Sequence, residues 1–256
     1  MGIVNLTEDS FYPNSRALCA ENFNSLAQSL ETADIIDLGA ESSRPYATPV
    51  PAKTQLIRLE PAIKALQTNY HGQISIDTSE PEVMQYSIEL GIDMINDIRA
   101  LSKPGALEVI AQSSVTVCLT HMQGSPENMQ DNPYYPRGVM QELKQWCYEV
   151  TEKCLKAGIK KDNIILDPGF GFGKTIADNW IILEHLEELT KEHKILIGVS
   201  NKSMFQNIIG CKDISQRSLP SRVAEAIATI KNVHMIRTHD AIATKKAIMV
   251  AKYQGV

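Results

Sequence analysis

The chain alternates short apolar runs with longer amphipathic segments along its whole length. Eight runs are rich in aliphatic and β-branched residues, which is typical of strands buried on both faces. They cover residues 2–6, 34–39, 74–78, 94–98, 116–121, 163–169, 195–200 and 234–240. Between them, apolar residues recur at the three- and four-residue spacing of helices. The pattern therefore predicts a parallel sheet covered by helices on both faces.

Three of the helical segments have clear boundaries. Apolar residues share one face of the segment 52–66, and the segment 81–91 begins with proline and ends with glycine. A third and longer segment, 138–158, also ends with glycine. Eight strand–helix units match a (β/α)8 barrel, which needs about 250 residues. We predict an α/β fold with a single TIM-barrel domain over residues 1–256; an open doubly wound sheet is the alternative.

Each predicted strand is followed at its carboxyl end by polar or charged side chains. These are Asn5, Asp37, Asp77, Asn96, His121, Asp167, Ser200 with Lys202, and Arg237 with His239. In a TIM barrel the carboxyl ends of all eight strands converge on one mouth, where active sites lie. For Asp37, Asp97 and Thr78, a helix cap or a turn is the preferred interpretation. The other side chains are expected to face one cavity.

The predicted cavity suits a flat heterocycle that carries several N–H donors. Asp77 and Asp167 would each accept two donors, in the bidentate geometry that an amino-pyrimidinone edge offers. Asn96 would add one donor and one acceptor. Apolar walls are expected from three residues that follow strands: Ile98, Met122 and Phe172.

A second group of polar residues would bind an anion, such as a phosphate, at the rim of the same cavity. Arg237 and His239, together with Asn5, offer the donors. A metal-hydrolase barrel is the rival interpretation, but it needs a His-x-His pair after the first strand, where this chain has Asn-Leu-Thr. His121 and His239 are too few to hold zinc alone, and His121 is expected to be structural.

The glycine-rich segment LDPGFGFGKT, residues 166–175, resembles a phosphate-binding loop only superficially. A P-loop would need glycine where Pro168 stands, and the dinucleotide fingerprint would need glycine in place of Lys174. Asp167 is therefore predicted to be the functional residue of the segment, with the glycines allowing close backbone approach to a ligand. Lys174 is predicted to lie at a helix start or at the rim.

Bulk composition narrows the class of protein. The net charge of −5 gives no reason to expect nucleic acid or an anionic membrane as a partner. Five cysteines without a C-x-x-C pair favour reduced thiols in a cytoplasmic protein. No apolar run approaches the ~18 residues of a membrane-spanning helix.

Eight segments follow one another at the predicted strand ends. They are MGIVNLTEDSF (1–11), DLGAESSRP (37–45), ISIDTSEPEV (74–83), INDIRALSKPGALE (95–108), THMQGSPENMQ (120–130), DPGFGFGK (167–174), GVSNKS (198–203) and IRTHD (236–240). Together and in this order they resemble the motifs of dihydropteroate synthases, over essentially the whole chain. The resemblance implies a TIM barrel that joins p-aminobenzoate to 6-hydroxymethyl-7,8-dihydropterin diphosphate. The implied products are 7,8-dihydropteroate and diphosphate, in folate biosynthesis.

The resemblance also implies a role for each matching residue. The implied pterin site consists of Asp77, Asn96, Ile98, Met122, Asp167, Phe172, Gly198 and Lys202. The implied diphosphate site consists of Asn5, Arg237 and His239, with Asn5 also a ligand of Mg2+. The implied p-aminobenzoate site consists of Ser43, Arg44, Pro45, Phe172 and Ser203, the last at a helix start that would favour the carboxylate. The residues implied to be catalytic are Lys202, Arg237 and His239.

Some positions depart from the family pattern, and these departures leave alternatives open. Pro13 replaces an acidic residue of the first loop, and Asn201 stands where arginine is usual. A pterin-binding paralogue with weak or no synthase activity is therefore the alternative function. A methyltetrahydrofolate-binding methyltransferase domain is a third, but it would not need the diphosphate residues. The chain is expected to lack a short N-terminal lead or to come from a fused folate-pathway protein, and a homodimer that sulfonamides inhibit is implied.

Overall fold

The structure, a computed structural model, describes residues 1–6, 32–41, 48–206 and 213–253. Its strands are short and fall inside the predicted runs, except that β3 begins one residue earlier, at Gln73. They are β1 Gly2–Asn5, β2 Ile35–Gly39, β3 Gln73–Asp77, β4 Met94–Asp97, β5 Thr116–Thr120, β6 Ile164–Asp167, β7 Leu196–Ile197 and β8 Met235–Ile236. Strands β1 to β6 pair in chain order as a parallel sheet, and β7 pairs with β8, also in parallel.

The two sheets meet at both seams through single bridge pairs. Leu166 of β6 bridges to Ile195 before β7, and Gly2 of β1 bridges to Thr238 after β8. At the second seam the amide of Ile3 donates to the carbonyl of Thr238 at 2.9 Å. The strands thus follow one another around a ring in chain order, which confirms the predicted TIM barrel and excludes an open doubly wound sheet.

Helices follow most of the described strands and cover the outside of the ring. They are α1 Ala52–Asn69, α2 Pro81–Glu89, α3 Ala106–Ala111, α4 Val139–Lys156, α5 Ile176–Glu184, α6 Glu187–Thr190, α7 Ser218–Ile230 and α8 Ala241–Lys252. The predicted segments 52–66, 81–91 and 138–158 correspond to α1, α2 and α4. None of the described helices combines the length and the apolar content needed to cross a membrane.

The core has two layers, and the inner one supports the functional end of the barrel. The larger layer lies between the strands and the helices. The inner layer is a small apolar cluster of Met1, Ile35, Met94, Cys118, Ile165 and Leu196. Side chains two positions further along a strand point to the same side. On β2, β4 and β6 those positions are Asp37, Asn96 and Asp167, so a polar layer follows the apolar one toward the carboxyl ends.

Candidate active site

Arg237 connects three strands at the polar layer. Its Nε donates to Asp37 Oδ2 at 2.6 Å, and its Nη2 donates to Asp77 Oδ2 at 2.7 Å. Asp37 is fully buried and also accepts hydrogen bonds from Ser75 Oγ at 2.6 Å and Asn96 Nδ2 at 3.2 Å. The predicted cap or turn role of Asp37 is therefore wrong. This residue lies within β2, two positions before its end, so its carboxylate points into the barrel instead of toward a helix.

The two carboxylates predicted to bind the ligand are both buried at strand ends. Burial raises the pKa of Asp77 to about 7, while the neighbouring charge of Arg237 opposes the shift. Burial also raises the pKa of Asp167, and a hydrogen bond of 2.7 Å from the Gly169 amide opposes it. Burial thus destabilises the charged forms of both carboxylates, and further hydrogen-bond donors would stabilise them.

Asn96 presents a buried acceptor to the same region. Its Nδ2 is used by Asp37, but its Oδ1 has no hydrogen-bond partner among the described residues. Buried polar atoms in native proteins are almost always paired. An orphan acceptor beside the Asp77 strand is the property expected of a site completed by a ligand N–H.

Lys202 and Phe172 pack together on the far side of the mouth. The Lys202 ammonium lies 4.5 Å from the centroid of the Phe172 ring, within cation–π range. Burial lowers the pKa of Lys202 to about 8, and the nearby carboxylate of Asp167 opposes the shift. Lys202 is therefore a cation that can lose its charge near neutral pH, above an aromatic face.

Asn5 lies next to Asp77 across one intervening residue. Gly39 pairs with Asn5 on one side and with Asp77 on the other. A Cβ added to Gly39 would be 3.6 Å from both Asn5 Oδ1 and Asp77 Cβ. The Asn5 amide is thus within the polar layer that Arg237 crosses.

The comparisons with known proteins are consistent with this geometry. A family model described as pterin binding enzyme matches residues 1–239. The chain belongs to this family. Dihydropteroate synthase of Haemophilus influenzae is 39% identical over 253 residues, covering 98% of this chain and 91% of the relative.

Solved structures of the pterin-binding enzyme family share the fold. The Yersinia pestis dihydropteroate synthase with a sulfonamide drug complex has a TM-score of 0.90 and 39% identity, over 98% of this chain and 92% of that one. The Xanthomonas albilineans dihydropteroate synthase with 4-aminobenzoic acid has a TM-score of 0.89 and 38% identity, over 98% and 90%. The family and the barrel predicted from the motifs are therefore confirmed.

The structure brings most of the residues that match the family motifs to one end of the barrel. Asp77 and Asp167 end their strands, Asn96 is the last residue but one of β4, and Arg237 donates to Asp77. Three further residues follow directly in the connecting segments, half-buried: Ile98, Met122 and Gly198. A Cβ at Gly198 would be 3.9 Å from Arg237 Cβ, so this glycine faces the same region.

The p-aminobenzoate residues are the least well described. Ser43, Arg44 and Pro45 lie outside the described residues, as does Pro13. Ser203 is exposed and opens a three-residue 3-10 turn, Ser203–Phe205. A helical turn of the 3-10 type thus begins at Ser203, and residues 207–212 lie outside the described ones, so a longer helix at this position stays a prediction.

His239 is exposed at the rim. The side chains that support it from behind were not predicted from the sequence. Its Nδ1 lies 3.0 Å from Ser200 Oγ. Behind it, Arg222 of α7 bonds to Thr238 Oγ1 at 3.0 Å and to the fully buried Glu225 at 2.7 Å. Burial raises the pKa of Glu225 to about 7, opposed by Arg222. An Arg–Glu pair three residues apart on one helix is the pattern that could have indicated this support.

The predictions for the connecting segments are mostly confirmed. Asp97 accepts the amides of Arg99 and Leu101 at 2.8 and 2.7 Å, and Thr78 Oγ1 accepts the amide of Glu80 at 3.2 Å. Both are the local turn contacts that were expected.

Lys174 was predicted to lie at a helix start or at the rim. It directly precedes Thr175, the N-cap of α5, as predicted for a helix start. It is not at the rim, however, because only 3% of its surface is exposed. The burial of Lys174 was not predicted from the sequence, because the contact of its Nζ with His121 Nδ1 joins two distant parts of the chain.

Proposed function

We propose that this chain is a dihydropteroate synthase. It would condense p-aminobenzoate with 6-hydroxymethyl-7,8-dihydropterin diphosphate, giving 7,8-dihydropteroate and diphosphate. The observation that carries the proposal is the buried polar layer of Asp77, Asn96 and Asp167 beside Arg237, in a chain similar to dihydropteroate synthases over nearly its whole length. An anion site beside a heterocycle site is the combination that a pterin diphosphate needs.

The pterin would be recognised through its N–H edge. Asp167 and Asp77 are buried acceptors of raised pKa, so N–H donors from the ring would stabilise their charged forms. The orphan Oδ1 of Asn96 would accept a further ring N–H. Phe172 would lie against the ring, with Lys202 fixed above the aromatic face at 4.5 Å. Ile98 and Met122 would complete the apolar walls, and Gly198 would leave room for the ring.

The diphosphate would be held by Arg237, with His239 and Asn5. The bonds to Asp37 and Asp77 use two of the five N–H donors of the guanidinium. The remaining donors can reach phosphate oxygens while the arginine stays anchored. As the methylene–oxygen bond breaks, this fixed positive charge would stabilise the negative charge that develops on the leaving diphosphate.

Mg2+ is proposed as the cofactor, bound together with the diphosphate. No group of three or more His, Cys, Asp or Glu that could hold a metal occurs among the described residues. The donor set nevertheless fits Mg2+, which often binds one or two protein oxygens, several waters and substrate phosphates. Asn5 supplies an amide oxygen at the end of β1. The ion would add charge neutralisation of the leaving group.

The second substrate would enter from the loop side of the mouth. We assign its site to Ser43, Arg44 and Pro45, with Phe172 and the exposed Ser203 next to Lys202. The aniline nitrogen would attack the methylene carbon, losing one proton as the new carbon–nitrogen bond forms and the diphosphate leaves. Positioning of a nucleophile against an electrophile is the main catalytic contribution required. No protein nucleophile is needed.

We also propose an oligomeric state, a cellular location and the classes of partner and inhibitor. Exposed apolar side chains on the last two helices would form a homodimer interface: Leu219, Val223 and Ile230 on α7, and Ile242, Met249 and Val250 on α8. A cytoplasmic location is supported by the unpaired buried thiols Cys118, Cys147 and Cys154. The net charge of −5 supports partners other than nucleic acid or membranes. Sulfonamides would compete at the p-aminobenzoate site.

The alternative is a pterin-binding barrel with weak or no synthase activity. Asn201, one of the two departures behind it, has a φ of 59° in the left-handed region. Asparagine is tolerated there better than arginine. Arg217 Nη1 also donates to the Asn201 carbonyl at 3.2 Å. The departure therefore suits the local backbone, and the assay below separates the two functions.

One assay tests the proposal. The purified chain is given the pterin diphosphate, p-aminobenzoate and Mg2+, and the release of diphosphate is followed against a reaction without p-aminobenzoate. Release that depends on both substrates and on Mg2+ is expected. Pterin binding without release would support the non-catalytic alternative, and binding of methyltetrahydrofolate instead would indicate a methyltransferase domain.

A further inference from the structure

Lys174 is a buried lysine to which the mechanism above gives no role. Its Nζ lies 2.9 Å from His121 Nδ1, 3.0 Å from the Phe172 carbonyl oxygen and 3.3 Å from the His121 carbonyl oxygen. An ammonium group has three N–H donors. The three acceptors therefore match the three donors.

The geometry also fixes the state of His121. Burial lowers the pKa of Lys174 to about 7. While Lys174 carries its proton the ammonium can only donate, so Nδ1 is then unprotonated and the ring is the neutral Nε2–H tautomer. Burial lowers the pKa of His121 to about 3, and the neighbouring charge of Lys174 adds to the shift. The ring is held by an edge contact with Trp146, with centroids 5.1 Å apart. His121 is thus an uncharged ring at neutral pH, and it accepts from Lys174 while that lysine carries its proton.

These contacts join the two segments that follow β5 and β6. A Cβ at Gly169 would collide with the His121 carbonyl, and a Cβ at Gly173 would collide with the backbone of Gln123. Both glycines have φ values in the left-handed region, 71° and 63°. The glycine-rich segment therefore lies directly on residues 121–123, and Lys174 crosses the contact between them.

The bonded carbonyls belong to the peptide groups beside two of the predicted pterin walls. The His121 carbonyl is part of the peptide that leads into Met122, and the other carbonyl is that of Phe172 itself. The Nζ of Lys202 in turn lies 4.5 Å from the centroid of the Phe172 ring. One ammonium thus determines the relative placement of two walls that come from different strands.

We propose that Lys174 and His121 form a latch that positions Met122 and Phe172 as the two walls of the pterin site. The proposal rests on the proposed function for the identity of the ligand. Both are positioning residues, since they act on the ligand through Met122 and Phe172. The latch orders the walls before the substrate arrives, so its loss would weaken pterin binding more than it slows the chemical step.

The first test replaces the ammonium by an apolar chain of similar length. Lys174→Met should raise the KM for the pterin diphosphate about tenfold, because carbonyls and an imidazole lose their donor. The value of kcat should change little. Lys194→Met is the matched control, since Lys194 Nζ donates to the Asp162 carbonyl at 2.8 Å at the opposite end of the barrel. A Lys174→Met enzyme that is folded and has the pterin KM of the control would overturn the proposal.

The second test changes the acceptor and keeps the lysine. His121→Asn places an amide oxygen near the position of Nδ1, so it should retain most of the pterin affinity. His121→Leu removes the acceptor and should raise the KM as Lys174→Met does. Equal pterin KM values for these two variants would overturn the latch, even if Lys174→Met does not fold.

The third test observes the latch without turnover. The imidazole 15N spectrum of the wild type should show His121 Nδ1 unprotonated, and Lys174→Met should shift the ring toward a mixture of tautomers. If the wild type releases no diphosphate, the proposed function fails. The latch is then tested by calorimetric binding of 6-hydroxymethylpterin to the same variants. A wild-type chain that binds no pterin, or a His121 tautomer that does not respond to Lys174, overturns it.

Discussion

Arg237 and Asp77 form a hydrogen-bonded ion pair of 2.7 Å, although they belong to strands separated by two others in the ring. Asp37 accepts from the same guanidinium at 2.6 Å and lies on β2, one of these two intervening strands. The arginine proposed to bind the diphosphate is thus already anchored by two carboxylates before any ligand arrives. Substrate binding needs little rearrangement of Arg237, and the anchor itself becomes testable.

The first prediction concerns this anchor. Asp37→Ala leaves Arg237 with one carboxylate and leaves Ser75 and Asn96 without their acceptor. Breaking a buried ion pair costs about 3–5 kcal/mol, and the lower end is expected because Asp77 remains. Urea unfolding followed by circular dichroism measures the loss. Asp162→Ala is the control, because its ion pair with Lys194 is exposed at 3.6 Å and should contribute little. Equal losses in the two variants would contradict a buried anchor.

The second prediction concerns recognition of the pterin. Asp167→Asn keeps the shape of the side chain but removes its charge and one acceptor. Hydrogen bonds to charged groups contribute about 1.5–3 kcal/mol, so pterin affinity should fall by about 10- to 150-fold. Calorimetric titration with a pterin measures this. Asp93→Asn is the control, because Asp93 also accepts a backbone amide, that of Ile74, but lies just before β4, whereas Asp167 lies at the carboxyl end of β6. An unchanged affinity in Asp167→Asn would refute the role.

The sequence predicted the fold well because the elements depend on local pattern. The helix predicted over 52–66 is α1, Ala52–Asn69, and the run 2–6 contains β1, Gly2–Asn5. The predictions for β7 and β8 were too long. The runs 195–200 and 234–240 continue past two-residue strands into the segments that carry Lys202 and Arg237. Beyond the two paired residues of each strand the runs are mostly polar, and those positions lie in connecting segments instead of the sheet.

Site residues could be predicted only where their position at a strand end already determines that their side chains point into the mouth of the barrel. Asp77, Asn96 and Asp167 lie at or within one residue of the carboxyl ends of their strands, and these ends meet in a barrel. Asp37 was assigned wrongly because one residue of register decides whether a side chain points inward. The helix-start position of Lys174 was predicted, but its burial was not, because its contact with His121 joins residues 53 apart in the chain. Such long-range burial leaves no local pattern.

The third prediction concerns the pH dependence of turnover. Burial lowers the pKa of Lys202 to about 8, so the ammonium loses its proton as the pH rises through this value. The ratio kcat/KM for the pterin diphosphate reports ionisations of the unbound enzyme and should fall above about pH 8. In Lys202→Arg the side chain stays charged, and the fall should move to higher pH. A profile that is identical in both enzymes would contradict the assignment, and Lys202→Ala should lose most of its activity.

The fourth prediction concerns stability in acid. Burial lowers the pKa of His121 from 6.5 to about 3, so the unfolded chain binds a proton that the folded chain does not. Its contribution to the free energy of unfolding is complete above pH 6.5 and is lost as the pH falls toward 3, by up to about 1.4 kcal/mol per pH unit.

The His121→Asn variant isolates this contribution, since it keeps an acceptor for Lys174 but cannot titrate. The buried carboxylates of raised pKa are present in both proteins and cancel in the difference. The free energy of unfolding of the wild type minus that of the variant should therefore decrease as the pH is lowered from 6.5 to 3. Urea unfolding at each pH measures it. A difference that is constant over this range would show that His121 has the same pKa in the folded and the unfolded chain, which contradicts the lowered pKa.

The last prediction concerns the proposed dimer. Leu219, Val223 and Ile230 are spaced by four and seven residues, so they share one face of α7, and 52% of Val223 is exposed. Apolar faces that stay exposed in one chain indicate an interaction surface. Val223→Glu would bury a charge at the interface and should convert a dimer into a monomer in sedimentation experiments.

Ile57→Glu provides the control for this experiment. Ile57 on α1 is 59% exposed, comparable to Val223, but α1 covers a different part of the barrel. The control should sediment as the wild type does, because a single exposed apolar residue needs no partner. Dissociation by both substitutions would indicate a general loss of stability, and dissociation by Ile57→Glu alone would move the interface to α1. A monomeric wild type at micromolar concentration would exclude the dimer, and the apolar face of α7 would then need another occupant.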